Sequence, residues 1–357
     1  MIELYGKAKE ELKKGEPCVL ATIIRQTGSS PRGTGAKCLI TKGGPIWGSV
    51  GGGLLEARTI EEAKKVLTTM TPSKLRFFLT GRDVAETDMI CGGHAEVFLE
   101  PLGSLDSPRL TALKEAASTK RRGGKGGLVT LLSEKLWEQG EGKWFVKEKG
   151  EAKEVLAKEL GCVEGVELWW ERLVNGRKSE VVKCKDRQGR EVEIFFEPIV
   201  AAPVVYVFGG GHVSRQIVPL ASFVGFRTVV LDDREEFAQA QDFPGAHEVR
   251  KVEFANVMEQ LPVDEDSYLV IVTRGHIYDK IVLAQALRTN AKYVGMIGSK
   301  RKRQMIFQSL LEEGFKEEDL RRVHSPIGLP IGAETPEEIA VSIVAELIKV
   351  RAGQDGR

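Results

Sequence analysis

The sequence predicts a two-domain α/β chain. An N-terminal α+β domain of glycine-rich loops and short strands covers 1–198, and a C-terminal doubly wound parallel sheet covers 203–357. Three observations predict this. Residues 204–232, VVYVFGGGHVSRQIVPLASFVGFRTVVLD, run from a β-branched strand through a glycine cluster and a helical stretch to a second strand ending in an acid. Strands at 268–273 and 292–298 then alternate with helical stretches at 277–289, 300–313 and 336–351, which implies parallel pairing. PIVAAP (198–203), with a proline at each end, reads as the linker, and 357 residues are too many for one typical core.

The N-terminal elements follow in order. Residues 2–14 have amphipathic helical spacing. CVLATIIRQ (18–26) reads as a buried strand, TGSSPRGTG (27–35) as a tight irregular loop, and AKCLIT (36–41) with PIWGSV (45–50) as a hairpin-like unit. GGGLLEARTIEEAKKVL turns helical after its glycines, with Leu55, Ile60, Ala63 and Leu67 near helical spacing. KLRFFLT and AEVFLEPL read as strands, with Cys91-Gly92-Gly93 between them. AEVFLEPL (95–102) resembles VEIFFEPI (192–199), and CVLATII (18–24) loosely resembles GLVTLLS (127–133). Either 104–190 belongs to a degenerate second copy that supplies scaffold, or two similar edge strands have arisen by chance.

Composition excludes several function classes. Lys+Arg and Asp+Glu nearly cancel at 52 against 51, so no global basic field points to nucleic acid or a membrane surface. No stretch approaches the roughly 18 apolar residues of a membrane span, and the first residues lack an apolar signal core. Cytoplasmic placement is the expectation. Five cysteines at uneven spacing, with no CxxC pair, argue against a disulfide scaffold or a structural zinc site; Cys162 and Cys184 show no apparent partner.

The candidate chemistry lies in glycine-rich loops. Gly209, Gly211 and Ser214 stand in G-x-G-x-x-S spacing, with His212 opening the helix and Asp232 placed where an acid would meet a ribose hydroxyl. This predicts a Rossmann-like domain, which either takes NAD(P) or another nucleotide or is a shell that has lost its ligand or binds a different one. Serine at the third position is expected to loosen helix-on-strand packing slightly. Arg274, His276 and Asp279 follow a strand of the same sheet, where ligands of open α/β sheets bind; helix capping by His276, or a salt link to Asp279, is the structural alternative. Gly298, Ser299 and Lys300 open a helix whose first turn also holds Arg301 and Arg303. Cations there oppose the helix dipole, so either a bound anion explains them or they form a solvated basic face. In the N-terminal domain Gly28, Ser30, Arg32, Gly33, Ser49, Gly51, Gly52, Gly53, Glu56, Gly92 and Gly93 form loops whose N–H groups suit anionic oxygens. Arg32 adds a bidentate phosphate contact, and Cys91 stands as a soft ligand or thiol nucleophile.

Together these strings resemble the XdhC/CoxI family: ATIIRQTGSSPRGTGAKCLI, GSVGGGLLE and CGGHAEVFLEP, then VFGGGHVSRQIVPLASFVGFRTVVLDDR, VTRGHIYDK, YVGMIGSKRKR and HSPIGLPIGAETPEEIAVSIVAELI. The resemblance implies an accessory protein that binds molybdenum cofactor (molybdopterin) as cargo and protects it while a cysteine desulfurase supplies sulfur. It further implies delivery to an apo molybdenum hydroxylase of the xanthine dehydrogenase type, and a homodimer. Many relatives carry cysteine where this chain has Leu54, which leaves Cys91 as the motif thiol and as the possible molybdenum contact. Beside this chaperone stand an NAD(P)-dependent oxidoreductase, resting on Gly209, Gly211, Asp232 and His276, and a nucleotide-sensing regulatory protein.

Overall fold

A computed structural model describes residues 1–28, 32–43, 46–79, 93–132, 142–161, 166, 170–172, 174, 177–186 and 188–353. The chain divides into two compact units, Met1–Ala201 and Ala202–Arg357.

In the first unit α1 (Ile2–Lys13) leads into β1 (Cys18–Gly28), β2 (Lys37–Thr41) and β3 (Ile46–Gly48). Then α2 (Gly53–Thr69) precedes β4 (Ser73–Leu79) and β5 (Gly93–Leu102). These strands form an antiparallel sheet in the order β3-β2-β1-β5-β4. A second set follows: α3 (Pro108–Arg121), β6 (Gly126–Leu131), β7 (Lys143–Val146), α4 (Lys149–Leu160), β8 (Glu180–Lys185) and β9 (Glu191–Ile199). Its antiparallel sheet has the order β7-β6-β9-β8. Apart from β3 and the helical residues at 166, 170–172 and 174, the described elements of the two sets share element order and pairing order. Leu20 stands opposite Glu100 as Leu128 stands opposite Glu197, and Thr22 stands opposite Lys37 as Thr130 stands opposite Lys143. This pairing matches Thr22 with Thr130, one residue out of the alignment the sequence suggests for β1 and β6.

Each set packs its own helix on one face. Val19, Ala21, Ile23 and Val97 lie under α2, while Val129, Leu131 and Ile194 lie under α4. A shared core of α1, α3 and both sheets includes Leu20, Leu39, Leu102, Leu113, Leu128 and Ile199. Two buried ion pairs cross between the sets: Lys143 Nζ lies 2.7 Å from Glu100 Oε1, and Lys37 contacts Glu197. Lys143 also donates to Thr130 Oγ1 at 2.8 Å. Arg25 joins Glu96 of one repeated string to Glu193 of the other, the latter at 2.6 Å. Cys184 is disulfide-bonded, a partnership that the cysteine spacing did not suggest.

The second unit holds β10 (Val204–Phe208), α5 (His212–Phe223), β11 (Arg227–Asp232), β12 (Glu248–Lys251) and β13 (Ser267–Ile271). There follow α6 (Gly275–Ala286), β14 (Tyr293–Met296), α7 (Lys300–Glu312), α8 (Glu317–Arg321), β15 (Val323–His324) and α9 (Pro336–Arg351). Every pairing is parallel, in the order β12-β11-β10-β13-β14-β15, so the doubly wound sheet is present as the alternation predicted. The topological switch lies between β10 and β13. One face packs on α6 and α7 and the other on α5 and α9. β12, β15 and α8 are too short to announce themselves by periodicity. Thr335 and Glu338 form the reciprocal cap expected at the start of α9. At the third position of the glycine turn Ser214 is buried, and its hydroxyl donates to the Gly209 carbonyl.

The 324–328 segment is tied to α9 by Glu346. Its Oε2 accepts from Tyr293 Oη at 2.5 Å and from Gly328 N at 2.9 Å, and its Oε1 lies 3.0 Å from His324 Nδ1. Burial works to raise this carboxyl, but the bonds from His324, Tyr293 and Gly328 outweigh it and hold it below the usual range. Its stabilisation is therefore full above the unfolded value of about 4.3 and is lost as pH falls through the lower folded value. Glu346→Gln should lower stability at pH 7 by about 1–3 kcal/mol and flatten the acid limb of a Tm-against-pH curve; an unchanged acid limb contradicts this. Lys143→Met should cost about 3–5 kcal/mol by stranding Glu100, and adding Glu100→Leu should restore most of it. Chemical denaturation of both variants measures the difference, and a double variant no better than the single one contradicts the pairing.

Candidate functional site

In the first unit the glycine-rich loops emerge from one end of the first sheet. Gly28 ends β1 directly opposite Gly93, which opens β5, and Leu79 ends β4 beside it. Ser30, Cys91 and Gly92 themselves lie outside the described residues. At the same end β2 begins and β3 stops: Gly35 N donates to Ile23 O at 2.8 Å, and Ser49 N donates to Lys37 O at 3.1 Å. Gly48, at φ +80°, needs its missing Cβ, which would fall 2.4 Å from the Lys37 carbonyl.

A cleft of about 430 Å³ opens here. Arg32, Lys37, Ser49, Lys120, Ser179 and Glu197 line it, together with Gly35 and Gly48. Lys37 pairs with Glu197, and Arg32, Lys120 and Glu3 are the other charged side chains of the walls. Burial, followed by repulsion from Lys143, pushes the Lys37 ammonium below its usual value against the pull of Glu197. Ser49 donates to Glu56 Oε2 at 2.9 Å and accepts from Gly51 N at 3.0 Å, which fixes the turn into α2. Gly51, Gly52 and Gly53 have φ of +129°, +74° and +56° there. Of the predicted N-terminal residues, the structure thus brings Arg32 and Ser49 into one cavity and places Glu56 behind Ser49. Gly33 supports the loop through its carbonyl, which accepts from Ala36 N. Lys37 and Lys120 were not anticipated. Lys37 had a signal, a lysine on the same strand face as buried Leu39; Lys120, at the end of a polar helix, had none. Burial pushes the free thiols of Cys18 and Cys38 up to about 12, so neither supplies a thiolate at neutral pH.

In the second unit the dinucleotide position is filled by the chain itself. Asp232 is 1% exposed. Its Oδ2 accepts from Gly210 N at 2.7 Å and from Arg234 Nη2 at 3.1 Å, and its Oδ1 accepts from Arg234 N and Nε at 3.0 Å. Although burial opposes it, these bonds hold the carboxyl below its usual range. A Cβ on Gly210 would fall 2.0 Å from the Phe237 carbonyl, so the 234–237 turn closes directly on the glycine turn. Arg234 stacks on Phe237 at 3.6 Å. Gly209, at φ +109°, abuts the end of β13, while Gly211 caps α5 and His212 begins it.

The remaining predicted residues gather on the other side of the switch. Arg274 pairs with Asp233 at 2.8 Å and lies over the Tyr278 ring at 5.2 Å. His276 is exposed on the first turn of α6. Asp279 is fully buried and accepts from Thr273 Oγ1 at 2.6 Å. Its salt partner is Lys302, not His276. Burial pushes the Asp279 carboxyl up, against the pull of Lys302 and Thr273. Gly298 has φ +153°, and its missing Cβ gives passage to the Lys302 side chain. Ser299 caps α7 by accepting from Lys302 N at 3.2 Å. Lys300 is exposed, and Arg303 is occupied with the Ser325 carbonyl at 2.8 Å. Among the described residues, no group of three or more His, Cys, Asp or Glu side chains could hold a metal ion, and no helix is long and apolar enough to cross a membrane.

Residues 11–78 match the XdhC and CoxI family, and residues 205–347 match the XdhC Rossmann domain. The chain belongs to the XdhC and CoxI family. It is 24% identical over 343 residues to a probable xanthine dehydrogenase subunit from Bacillus subtilis (strain 168), covering 95% of each chain. It is 22% identical over 350 residues to the molybdenum cofactor insertion chaperone PaoD of Escherichia coli (strain K12), covering 98% of this chain and 88% of PaoD. Similarity at 24% identity also extends over 99% of this chain to the uncharacterized protein YqeB of the same organism, but there it spans only 47% of the relative, about half its length. Among solved structures, a xanthine dehydrogenase from Bacillus halodurans superposes with a TM-score of 0.73 at 26% identity, over 99% of this chain and 96% of that one.

The engagement of Asp232 makes a prediction. Asp232→Asn should lower the stability of the second unit by about 1–3 kcal/mol. NADH and NADPH should give no saturable fluorescence change with either the native or the substituted protein. Tight NADH binding that Asp232→Asn abolishes would contradict the assignment.

Proposed function

We propose that this protein binds molybdenum cofactor and hands it to a molybdenum hydroxylase of the xanthine dehydrogenase type, acting as a chaperone and not as the hydroxylase. The observation that carries this is the cleft lined by Arg32, Ser49, Lys37 and Lys120, formed where two family motifs converge in one unit. The cofactor offers a phosphate and oxo groups, and a guanidinium beside a serine hydroxyl and lysines suits such oxygens. The buried Lys37–Glu197 pair keeps the cleft wall in place, because either partner alone would be a costly buried charge.

Finer steps belong to the same proposal. The soft metal end of the cargo would meet Cys91, the motif thiol left when Leu54 replaces the cysteine of relatives. The buried thiols of Cys18 and Cys38 are not suited to that contact. A cysteine desulfurase would supply sulfur while the cofactor is held, and the active form would be a cytoplasmic homodimer. Support for an oxidoreductase is lacking, since Asp232 and Gly210 are committed to the 234–237 turn.

The test is retention of released cofactor by the purified chain on gel filtration, read by molybdenum content and pterin fluorescence. Native protein should retain both in near-equal amounts. Arg32→Ala should weaken retention roughly tenfold, the worth of one charge-assisted contact. Cys91→Ser should release molybdenum more readily while leaving the pterin bound. Failure of the native protein to retain either component would overturn the proposal.

A further inference from the structure

A further opening in the second unit lies apart from the glycine turn. It is a cleft of about 670 Å³ between α6 and α7, the helices that directly follow β13 and β14. Ligands in open α/β sheets sit beyond the carboxyl ends of the strands, and this cleft occupies that edge on the side that the 234–237 turn leaves open. Its size falls within the range of small-molecule sites.

The walls have two characters. Ile277 and Met305 are 62% and 59% exposed, so both helices hold large apolar groups toward solvent at the cleft. Between them the cleft is cationic, with Lys280, Arg301 and Lys302. Lys280 is engaged by Glu313, and Lys302 by Asp279. Arg301 has no such pairing among the described residues. Ser299, the α7 cap, and the first N–H groups of that helix complete the polar end. A cationic, N–H-rich end beside an apolar slot with a methionine is complementary to a ligand with a dianion at one end and a flat ring at the other.

We propose that the α6–α7 cleft is a second ligand site, which takes a phosphate monoester of a flat heterocycle. The phosphate lies at Ser299 and Arg301, and the ring lies between Ile277 and Met305. Two sources share this chemistry, a free nucleotide and the phosphate-bearing pterin of the proposed cargo. The site stands whether or not the protein carries molybdenum cofactor.

The experiment is calorimetric titration of the full chain with flavin mononucleotide, adenosine monophosphate and inorganic phosphate in turn. At least one of the two esters should bind saturably and at least about tenfold more tightly than inorganic phosphate, the ring supplying the difference. Arg301→Ser and Met305→Ser, both at exposed positions, should each weaken that ester about fivefold to tenfold. Arg32→Ala, in the other unit, should leave it unchanged. Competition then separates the sources. Displacement of the ester by released molybdenum cofactor, lost in Arg301→Ser, assigns the site to the pterin phosphate, and absence of displacement assigns it to a nucleotide. Ester binding no tighter than that of inorganic phosphate, or unaffected by both cleft substitutions, overturns the proposal. Cofactor retention that depends on Arg32, found together with ester binding unaffected by both cleft substitutions, would leave the cargo proposal intact while this one fails, so the two fail separately.

Discussion

Two buried lysines hold the first unit together, and each pairs with a glutamate from the other sheet. Lys143 meets Glu100 and Lys37 meets Glu197. Neither sheet can be assembled alone without leaving an uncompensated charge in a shared apolar interior, so the crossing pairs make the two sets one cooperative body. The price is specificity of register. A one-residue slip of β2 would turn Lys37 toward α2 and leave Glu197 stranded. The cleft at Arg32 inherits this rigidity, since Lys37 and Glu197 form part of its wall.

The second unit shows the opposite relation between motif and use. Its glycine turn, helix and acid stand in the order of a nucleotide-binding unit, and its strand order has the switch that such units use. Yet the acid is consumed in holding Gly210 and Arg234, which locks the turn over the place a ribose would take. The same fold thus keeps its framework while its open ground shifts toward β13 and β14.

Much of this was legible in the sequence. The period-two and helical patterns located α1, α2 and the long strands of the first sheet and the main strands and helices of the second unit, but not α3, α4, β7 or β8, and Gly and Pro marked the turns. Arg32 and Ser49, which share one cleft, stood out as candidates because loops rich in glycine expose N–H groups. The repeated EVFLEP and EIFFEP strings hinted at the corresponding Glu100 and Glu197, but not that each glutamate serves the other set's lysine. That fact depends on packing between strands far apart in sequence. Lys302 was hidden for a similar reason. In GSKRKR all the cations look alike, and only the position of Asp279 one helix earlier singles out the one that turns inward.

The central claim is that anionic cargo sits against the Arg32 and Ser49 loops. Amide hydrogen exchange of the native protein with and without released molybdenum cofactor tests it most directly. Protection concentrated in peptides covering 32–37 and 48–56 is the predicted result. Unchanged exchange in those peptides at saturating cofactor would contradict it.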